Sequence, residues 1–246
     1  MSYEDMTATN YPPIRTRIVG VDDSGNGSLA GPITACALYA PAMLGRSPHG
    51  HLTGEILRGW QPATEVQISD SKLLRRGELR RAATWLRDTM GTLQGAFHIG
   101  HVSAEERRAY GDRRATGMAM ARAVRGLREQ LEPSGDWPPD VLLVDGSTGI
   151  PGIALPQRRL VGADRQYWHV SAASILATRA RQAYMEDIGG GWRFGVHLGY
   201  ATEEHAAQIR STLAQGGTLH PEHIPANLRR VVGSGASARL RSAVAG

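Results

Sequence analysis

The amino-acid sequence predicts a single α/β domain built around a mixed β-sheet. Two short apolar runs, 17–21 and 33–40, are separated by the Gly- and Pro-rich segment 25–32, a spacing typical of an antiparallel pair of strands. A third run, 141–144, is continuously apolar, which is typical of a strand buried on both faces in the parallel part of a sheet. Segments with apolar residues at helical spacing accompany these runs and complete the α/β pattern.

The remaining elements follow from the same two patterns. Helices are predicted at 71–90, 115–131, about 166–188 and 202–213, and strands at 93–102 and 157–161. Thr202 begins the last helix as a capping residue followed by two glutamates. We expect a flexible leader at 1–16, a surface insertion at 47–61 and a basic mobile tail at 229–246, which leaves 17–228 as the folded domain.

The composition excludes several classes of protein. The chain has 246 residues, 41% of them hydrophobic and 21% charged, which fits a folded domain with a substantial core. Its single cysteine, Cys36, excludes a disulfide framework and any multi-cysteine zinc site, and the histidine pairs 98/101 and 220/223 lack a nearby third ligand. No apolar run approaches the roughly 20 residues that span a bilayer. We therefore expect a cytoplasmic protein without a membrane partner.

The charge pattern favours an anionic partner. The net charge is +5, and Lys72 is the only lysine, so the other basic side chains are arginines. Tandem arginines occur at 75–76, 80–81, 107–108 and 113–114. Each pair is either a solvated face or part of a phosphate-contacting surface, because neutralisation of backbone charge supplies most non-specific affinity for nucleic acids.

Carboxylates follow two of the predicted strands directly. Asp22 and Asp23 come after the first strand, and Asp145 comes after the apolar run 141–144. Substrate crevices in open α/β sheets form at the carboxyl ends of strands. Adjacent buried carboxylates repel one another, and a hard divalent cation with oxygen ligands relieves that repulsion. From spacing alone two interpretations remain open: a metal site suited to phosphodiester cleavage, or aspartates that cap turns.

Six blocks in order along the chain narrow this choice. They are 21–32 (VDDSGNGSLAGP), 69–73 (SDSKL), 143–146 (LVDG), 163–164 (AD), 171–177 (SAASILA) and 197–205 (HLGYATEEH). Together they resemble the motifs of the ribonuclease HII (type 2 ribonuclease H) family, over about residues 18–224. The resemblance implies a ribonuclease H-like fold: a mixed five-stranded sheet flanked by helices, with a C-terminal helical segment.

The resemblance also implies a metal site with two departures from the family pattern. Asp22 and Asp145 match its two metal-bridging aspartates, and Asp23 occupies the position of a glutamate. Gln182 stands where the family has a further aspartate, so a cation should bind more weakly there. Glu186 follows one helical turn later and either completes the site or is a solvated surface acid.

Substrate contacts are implied at a second set of positions. Gly25, Asn26 and Gly27 match a Gly-Arg-Gly loop whose backbone senses the ribose 2′-hydroxyl at an RNA-to-DNA junction, and Asn26 removes the arginine. Tyr200 matches a tyrosine that stacks on the sugar there, with a core tyrosine as the alternative. Lys72 matches the lysine of the Asp-Ser-Lys element, where a compact point charge suits a phosphate contact.

The function implied is that of a Mg²⁺- or Mn²⁺-dependent endonuclease. Its substrates would be RNA/DNA hybrids or ribonucleotides embedded in duplex DNA, with 3′-hydroxyl and 5′-phosphate products, and we expect a monomer. The altered residues predict reduced or Mn²⁺-dependent activity. The alternatives are a homologue that binds hybrid or duplex nucleic acid without cutting it, and a nuclease that prefers long hybrids to single ribonucleotides.

Overall fold

A mixed β-sheet organises the part of the chain that the computed structural model describes, residues 17–41, 68 and 70–232. Its strands are β1 (Ile18–Ser24), β2 (Ile33–Tyr39), β3 (Ala96–Val102), β4 (Val141–Asp145) and β5 (Gln157–Leu160). They lie in the order β3-β2-β1-β4-β5. The β1–β2 and β2–β3 pairs are antiparallel, whereas the β1–β4 and β4–β5 pairs are parallel. The predicted five-stranded mixed sheet is thus confirmed.

Helices flank this sheet. In the described residues they are α1 (Arg76–Thr89), α2 (Ala104–Tyr110), α3 (Asp112–Leu131), α4 (Trp168–Asp187), α5 (Phe194–His197), α6 (Glu203–Ala214) and α7 (Pro225–Val232). Short 3₁₀ turns lie at Ser71–Leu73, Glu132–Ser134, Ala163–Arg165 and Gly190–Trp192. None of the helices in these ranges has both the length and the apolar character that crossing a membrane requires.

The two faces of the sheet are covered by different helices. Val19 and Val21 of β1 pack with α3 on one face, whereas Cys36 of β2 packs with α1 and α4 on the other. This division follows from the two-residue period of a strand. At Gly20, a Cβ atom would lie 2.3 Å from the backbone carbonyl carbon of His169, so glycine is what lets α4 approach β1 this closely.

Some helix boundaries differ from the predicted ones. The segment left unassigned before residue 115 forms α2, and α3 begins at Asp112. The Ser103 side chain accepts the backbone N–H of Glu106, whose carboxylate accepts that of Ser103. This capping box is a start signal that sequence inspection overlooked. The first helix is shorter than predicted because the chain turns through Ser71–Leu73 before α1 begins at Arg76.

The C-terminal part is helical, as the sequence predicts. α6 and α7 share an apolar cluster that also contains Leu29. Thr202 caps α6 by accepting the backbone N–H of His205. The first four residues of the predicted tail, 229–232, belong to α7. The leader 1–16, the insertion 47–61 and residues 233–246 lie outside the described residues.

Candidate active site

The predicted carboxylates lie at adjacent strand ends. β1 and β4 run parallel with Val21 beside Val144, so Asp22 and Asp145 follow at the carboxyl ends of neighbouring strands. β1 does not end at Val21 as predicted, because its pairing with β2 continues to Ser24. Side chains alternate along a strand, so Asp22 points toward α4 and Asp23 toward the α3 face.

The charges of these carboxylates are poorly compensated. Burial holds the pKa of Asp22 well above its usual range, and the charges of Asp23 and Asp145 raise it further. Burial, followed by the charge of Asp145, raises the pKa of Asp23 to about 6. Hydrogen bonds from the Ser174 side chain and from the backbone N–H of Asp23 act in the opposite direction on Asp22. A cation would relieve the remaining repulsion.

A second acidic group surrounds Lys72. Burial alone would lower the pKa of Lys72, but the charges of Asp164, Asp22, Asp70 and Asp145 raise it above its usual value. Asp70 is buried and accepts the backbone N–H of Lys72 at 2.9 Å. Burial, then the charges of Asp70 and Asp145, raises the pKa of Asp164 to about 6. Lys72 is therefore the cation that links both groups of carboxylates.

Gln182 lies on the side of α4 that carries Ser174, the side chain that forms a hydrogen bond with Asp22. Ser174, Thr178 and Gln182 follow one another at four-residue spacing along one side of α4. Gln182 is buried, and its Oε1 atom finds no hydrogen-bond donor among the described residues. A buried amide oxygen without a partner destabilises the protein unless something else occupies it. Its lone pairs suit a hard cation or a water bound to one.

The side-chain oxygens of Asp22, Asp23, Asp145 and Gln182 are of the kind that a divalent cation prefers, although they do not form a single coordination shell in the structure. Within residues 17–41 and 70–232, no three His, Cys, Asp or Glu side chains stand close enough together to hold a metal ion as they are. The carboxylates of Asp22, Asp23 and Asp145 are coupled through their charges rather than clustered. Carboxylate oxygens are the ligands that hard divalent cations prefer.

Glu186 lies apart from these carboxylates. Its side chain is 40% exposed and forms ion pairs with Arg76 at 3.5 Å and with Arg179 at 3.2 Å. The charges that raise the pKa values of Asp22 and Asp23 do not include that of Glu186. The structure thus brings Gln182, rather than Glu186, into the buried part of this face.

Residues 25–32 form the glycine loop that follows β1. Two buried arginines, Arg107 and Arg181, hold this loop in place. Arg181 donates to the carbonyl oxygens of Pro32 and Ala30 at 3.0 and 2.9 Å, and to the Ser28 hydroxyl at 3.0 Å. Arg107 donates to the same hydroxyl at 3.0 Å. The sequence predicts that Arg107 is either solvated or in contact with phosphate, and this prediction is wrong. Arg107 is only 1% exposed, because oxygen atoms of the glycine loop accept hydrogen bonds from its guanidinium group.

Asp112 joins Arg107 and Arg181, and these three residues together form the brace of the glycine loop. Asp112 pairs with Arg107 at 2.8 Å, and its other oxygen accepts the backbone N–H of Gly27 and the side-chain amide of Asn227, both at 2.9 Å. At Gly25, φ is +104° and a Cβ atom would lie 2.4 Å from Arg181, so both the backbone conformation and the space require glycine. Asn26 at the loop tip remains exposed.

Tyr200 lies against the same brace. Its ring centroid is 4.9 Å from the guanidinium carbon of Arg181, a cation–π contact. The residue as a whole is 38% exposed, so it is not a core tyrosine. Arg181 thus connects Tyr200 to the glycine loop.

Several residues of this site were not assigned roles from the sequence. Asp70 and Asp164 fall inside the matched motifs, so their motif context was the available signal. The contacts of Arg107, Asp112 and Arg181 with the glycine loop carry no local signal, because the loop lies 76 or more residues away along the chain.

The mixed five-stranded sheet with its flanking helices is a ribonuclease H-type fold, which solved structures share. Ribonuclease H2 from Pyrococcus horikoshii OT3 superposes with a TM-score of 0.62 and 20% identity, covering 92% of this chain and 99% of that one. Bst-RNase HIII, solved in complex with Mn²⁺, gives a TM-score of 0.59 and 14% identity over 94% of this chain and 70% of that one.

Sequence relatives specify the family. The profile described as Ribonuclease HII matches residues 59–222, a segment that begins after Asp22 and Asp23. Ribonuclease HII of Roseiflexus castenholzii (strain DSM 13941 / HLO8) is 34% identical over 220 residues, which cover 86% of each chain. The chain belongs to the ribonuclease HII family of ribonuclease H nucleases.

Proposed function

We propose that this chain is a metal-dependent endonuclease that cleaves the RNA strand of RNA/DNA hybrids or cuts at ribonucleotides embedded in duplex DNA. Its products would carry 3′-hydroxyl and 5′-phosphate ends. The observation that carries the proposal is the pair Asp22 and Asp145 at adjacent parallel strand ends, with the pKa of Asp22 held high by burial and by neighbouring carboxylates. Membership in the ribonuclease HII family supports the substrate class.

Asp22, Asp23 and Asp145 are the residues that would hold Mg²⁺ or Mn²⁺. A cation held there would supply an activated water and would neutralise charge that develops on the scissile phosphate. Asp22 receives hydrogen bonds from Ser174 and from the backbone, and Asp145 accepts the N–H of Ala163 at 2.8 Å. These contacts fix the orientation of both carboxylates before substrate arrives.

Other residues of the chain would position the substrate. Lys72, exposed and held among carboxylates, would contact the scissile strand as a point charge. Tyr200 presents a partly exposed ring for stacking on a sugar. The backbone of Gly25, Asn26 and Gly27 would approach the ribose, because the loop carries little side-chain bulk and is held rigid by Arg107 and Arg181.

The fourth ligand position determines metal preference. We assign it to Gln182, whose unpartnered Oε1 atom is buried, in preference to Glu186, which is engaged by two arginines. A neutral donor holds a cation less tightly than a carboxylate, so activity should be slower than that of an all-carboxylate site and should favour Mn²⁺.

The test is incubation of a labelled RNA/DNA hybrid with the full chain in Mg²⁺, Mn²⁺ or chelator. Metal-dependent cleavage that disappears in Asp22→Asn and in Asp145→Asn is the expected result. Gln182→Asp should increase the rate in Mg²⁺ more than in Mn²⁺. Full activity in chelator, or in either aspartate variant, would refute the proposal.

The second candidate function is binding of hybrid or duplex nucleic acid without cleavage. The neutral Gln182 and the shortened Asp23 favour it, since both weaken metal binding. Retained binding with no cleavage in either metal would support it. A further comparison, of a long hybrid with a duplex that contains one ribonucleotide, tests the preference that Asn26 predicts; equal cleavage would remove that preference.

A further inference from the structure

A groove opens beside the carboxylates on the α3 face of the sheet. It encloses about 890 Å³, and its lining includes the carboxylates of Asp23, Asp112 and Asp145 together with Arg113 and Arg114. The loop 146–149 forms part of its wall. The groove thus begins at the proposed cleavage site and extends away from it toward α3.

Arg113 and Arg114 are the only cationic side chains among the described residues that line this groove. Both are exposed, and neither forms an ion pair with a carboxylate in the described part of the chain. Arg107, a few residues earlier, is by contrast buried and paired with Asp112. Arg107 therefore holds the glycine loop, whereas the guanidinium groups of Arg113 and Arg114 are available to a ligand.

Arg114 is also held in place. Its guanidinium carbon lies 4.8 Å from the ring centroid of Tyr110, whose side chain is 46% exposed and lines the same groove. A cation–π contact restricts a long side chain that would otherwise sample many rotamers. A restricted guanidinium loses less entropy when it binds an anion.

The charge arrangement selects the ligand. The carboxylates of Asp23 and Asp145 in the lining repel an anion, and Asp112 is already paired with Arg107, whereas the guanidinium groups of Arg113 and Arg114 attract an anion. A ligand that suits a lining with both kinds of charge carries its negative charge at intervals along a polymer, as a nucleic-acid backbone does. We propose that Arg113 and Arg114 bind a backbone phosphate of the nucleic acid, displaced from the scissile phosphate along this groove, where the loop residue Asn26 contributes no charge.

This inference rests on the proposed function for its ligand, but its test does not require cleavage. Binding of a fluorescein-labelled RNA/DNA hybrid is measured by anisotropy in chelator, across a series of salt concentrations. Arg113→Gln/Arg114→Gln should weaken binding roughly tenfold, because a charge-assisted hydrogen bond is lost. The slope of log K against log salt should fall by about 1.

The chain offers a matched control. Arg80 and Arg81 are also tandem, exposed and helical, but they lie on α1, which covers the opposite face of the sheet. Arg80→Gln/Arg81→Gln should leave both the affinity and the salt slope close to those of the unaltered chain. Equal losses in the two double variants, or an unchanged slope in Arg113→Gln/Arg114→Gln, would overturn the inference.

Two further measurements separate binding from folding and from chemistry. Arg113→Lys/Arg114→Lys keeps the charge and should retain the salt slope, and the urea midpoint of each variant should match that of the unaltered chain because the side chains are exposed. With metal, the Gln double variant should raise KM and leave kcat unchanged. If the unaltered chain binds hybrid but never cuts it, the proposed function fails while the phosphate site is still tested by the slope.

Discussion

The glycine loop lies beside the carboxylate edge, the part of the sheet where β1 and β4 carry Asp22, Asp23 and Asp145. The two regions are stabilised in opposite ways. In the loop, the Ser28 hydroxyl and the neighbouring carbonyl oxygens receive hydrogen bonds from Arg107 and Arg181. At the carboxylate edge, the pKa of Asp22 is raised by burial and by like charges, and the Gln182 Oε1 atom has no donor in the described residues. The polar groups of the first region are satisfied by the protein itself, whereas in the second region repulsion between carboxylates and a buried acceptor without a donor remain.

This difference predicts how substitutions in each region should change the stability and the activity of the protein. A substitution in the brace removes interactions that the folded chain already makes, so it should reduce stability. A substitution at the carboxylate edge removes a repulsion, so it should increase the stability of the metal-free protein while removing activity.

The largest effect is expected at Asp112. Asp112→Ala leaves Arg107, whose side chain is fully buried, without its carboxylate, and should lower the free energy of unfolding by about 3–5 kcal/mol. Urea denaturation measures this loss. The exposed pair Arg128–Glu132 provides the control, since Glu132→Ala should cost at most about 0.5 kcal/mol. Similar costs for the two variants would show that the brace is not a stabilising feature.

The next effect concerns pH and the histidines behind Tyr200. The Nε2 atoms of His205 and His223 lie 3.0 Å apart, and both rings are buried. Burial lowers the pKa of His205 to about 4 and that of His223 to about 3, below the ordinary value of 6.5. Because the folded protein disfavours the charged rings, their contribution to stability is complete above pH 6.5 and is lost as the pH falls below it.

When the pH falls from 7.5 to 5.5, the free energy of unfolding should therefore decrease by about 1.4 kcal/mol for each of the two histidines. Urea midpoints across this range measure the slope. His223→Gln removes one of the two titrating groups and should make the dependence shallower. A slope identical to that of the unaltered chain would assign the pH dependence to other groups.

A smaller effect of opposite sign is expected at Asp22. Asp22→Asn removes a buried charge and should raise the melting temperature of the metal-free protein by about 2–4 °C at pH 8, if about 1 kcal/mol is recovered. Since the pKa of Asp22 is raised, the gain should shrink as the pH falls and the native carboxyl takes up a proton. Asp88→Asn, at an exposed position of α1, should change nothing. A lower melting temperature in Asp22→Asn would contradict the account of an uncompensated edge.

An effect of similar size is expected in α2, the helix that supports the brace. Ser103 caps α2, which carries Arg107 toward the loop. Ser103→Ala should lower the free energy of unfolding by about 1 kcal/mol, and Ser103→Asp should restore most of it. A loss that Asp does not restore would mean that Ser103 acts through packing rather than capping.

The contrast between the regions also explains what the sequence could predict. Apolar runs predict the strands that precede Asp22 and Asp145, and the parallel pairing of β1 with β4 brings the carboxyl ends of those strands to one edge of the sheet. The brace was missed, because Arg107 and Arg181 look like ordinary helix-surface arginines until the loop acceptors fold over them. Asp112 contacts Gly27 and Asn227, 85 and 115 residues away, and no local pattern encodes such contacts.

The central claim is that Asp22 and Asp145 form an edge that a divalent cation completes. Calorimetric titration of Mn²⁺ into the full chain, and into Asp22→Asn and Asp145→Asn, tests it most directly. The account expects saturable binding by the unaltered chain, loss of that binding in both variants, and metal-free melting temperatures in the variants no lower than the original. Undiminished Mn²⁺ binding in either variant would contradict it.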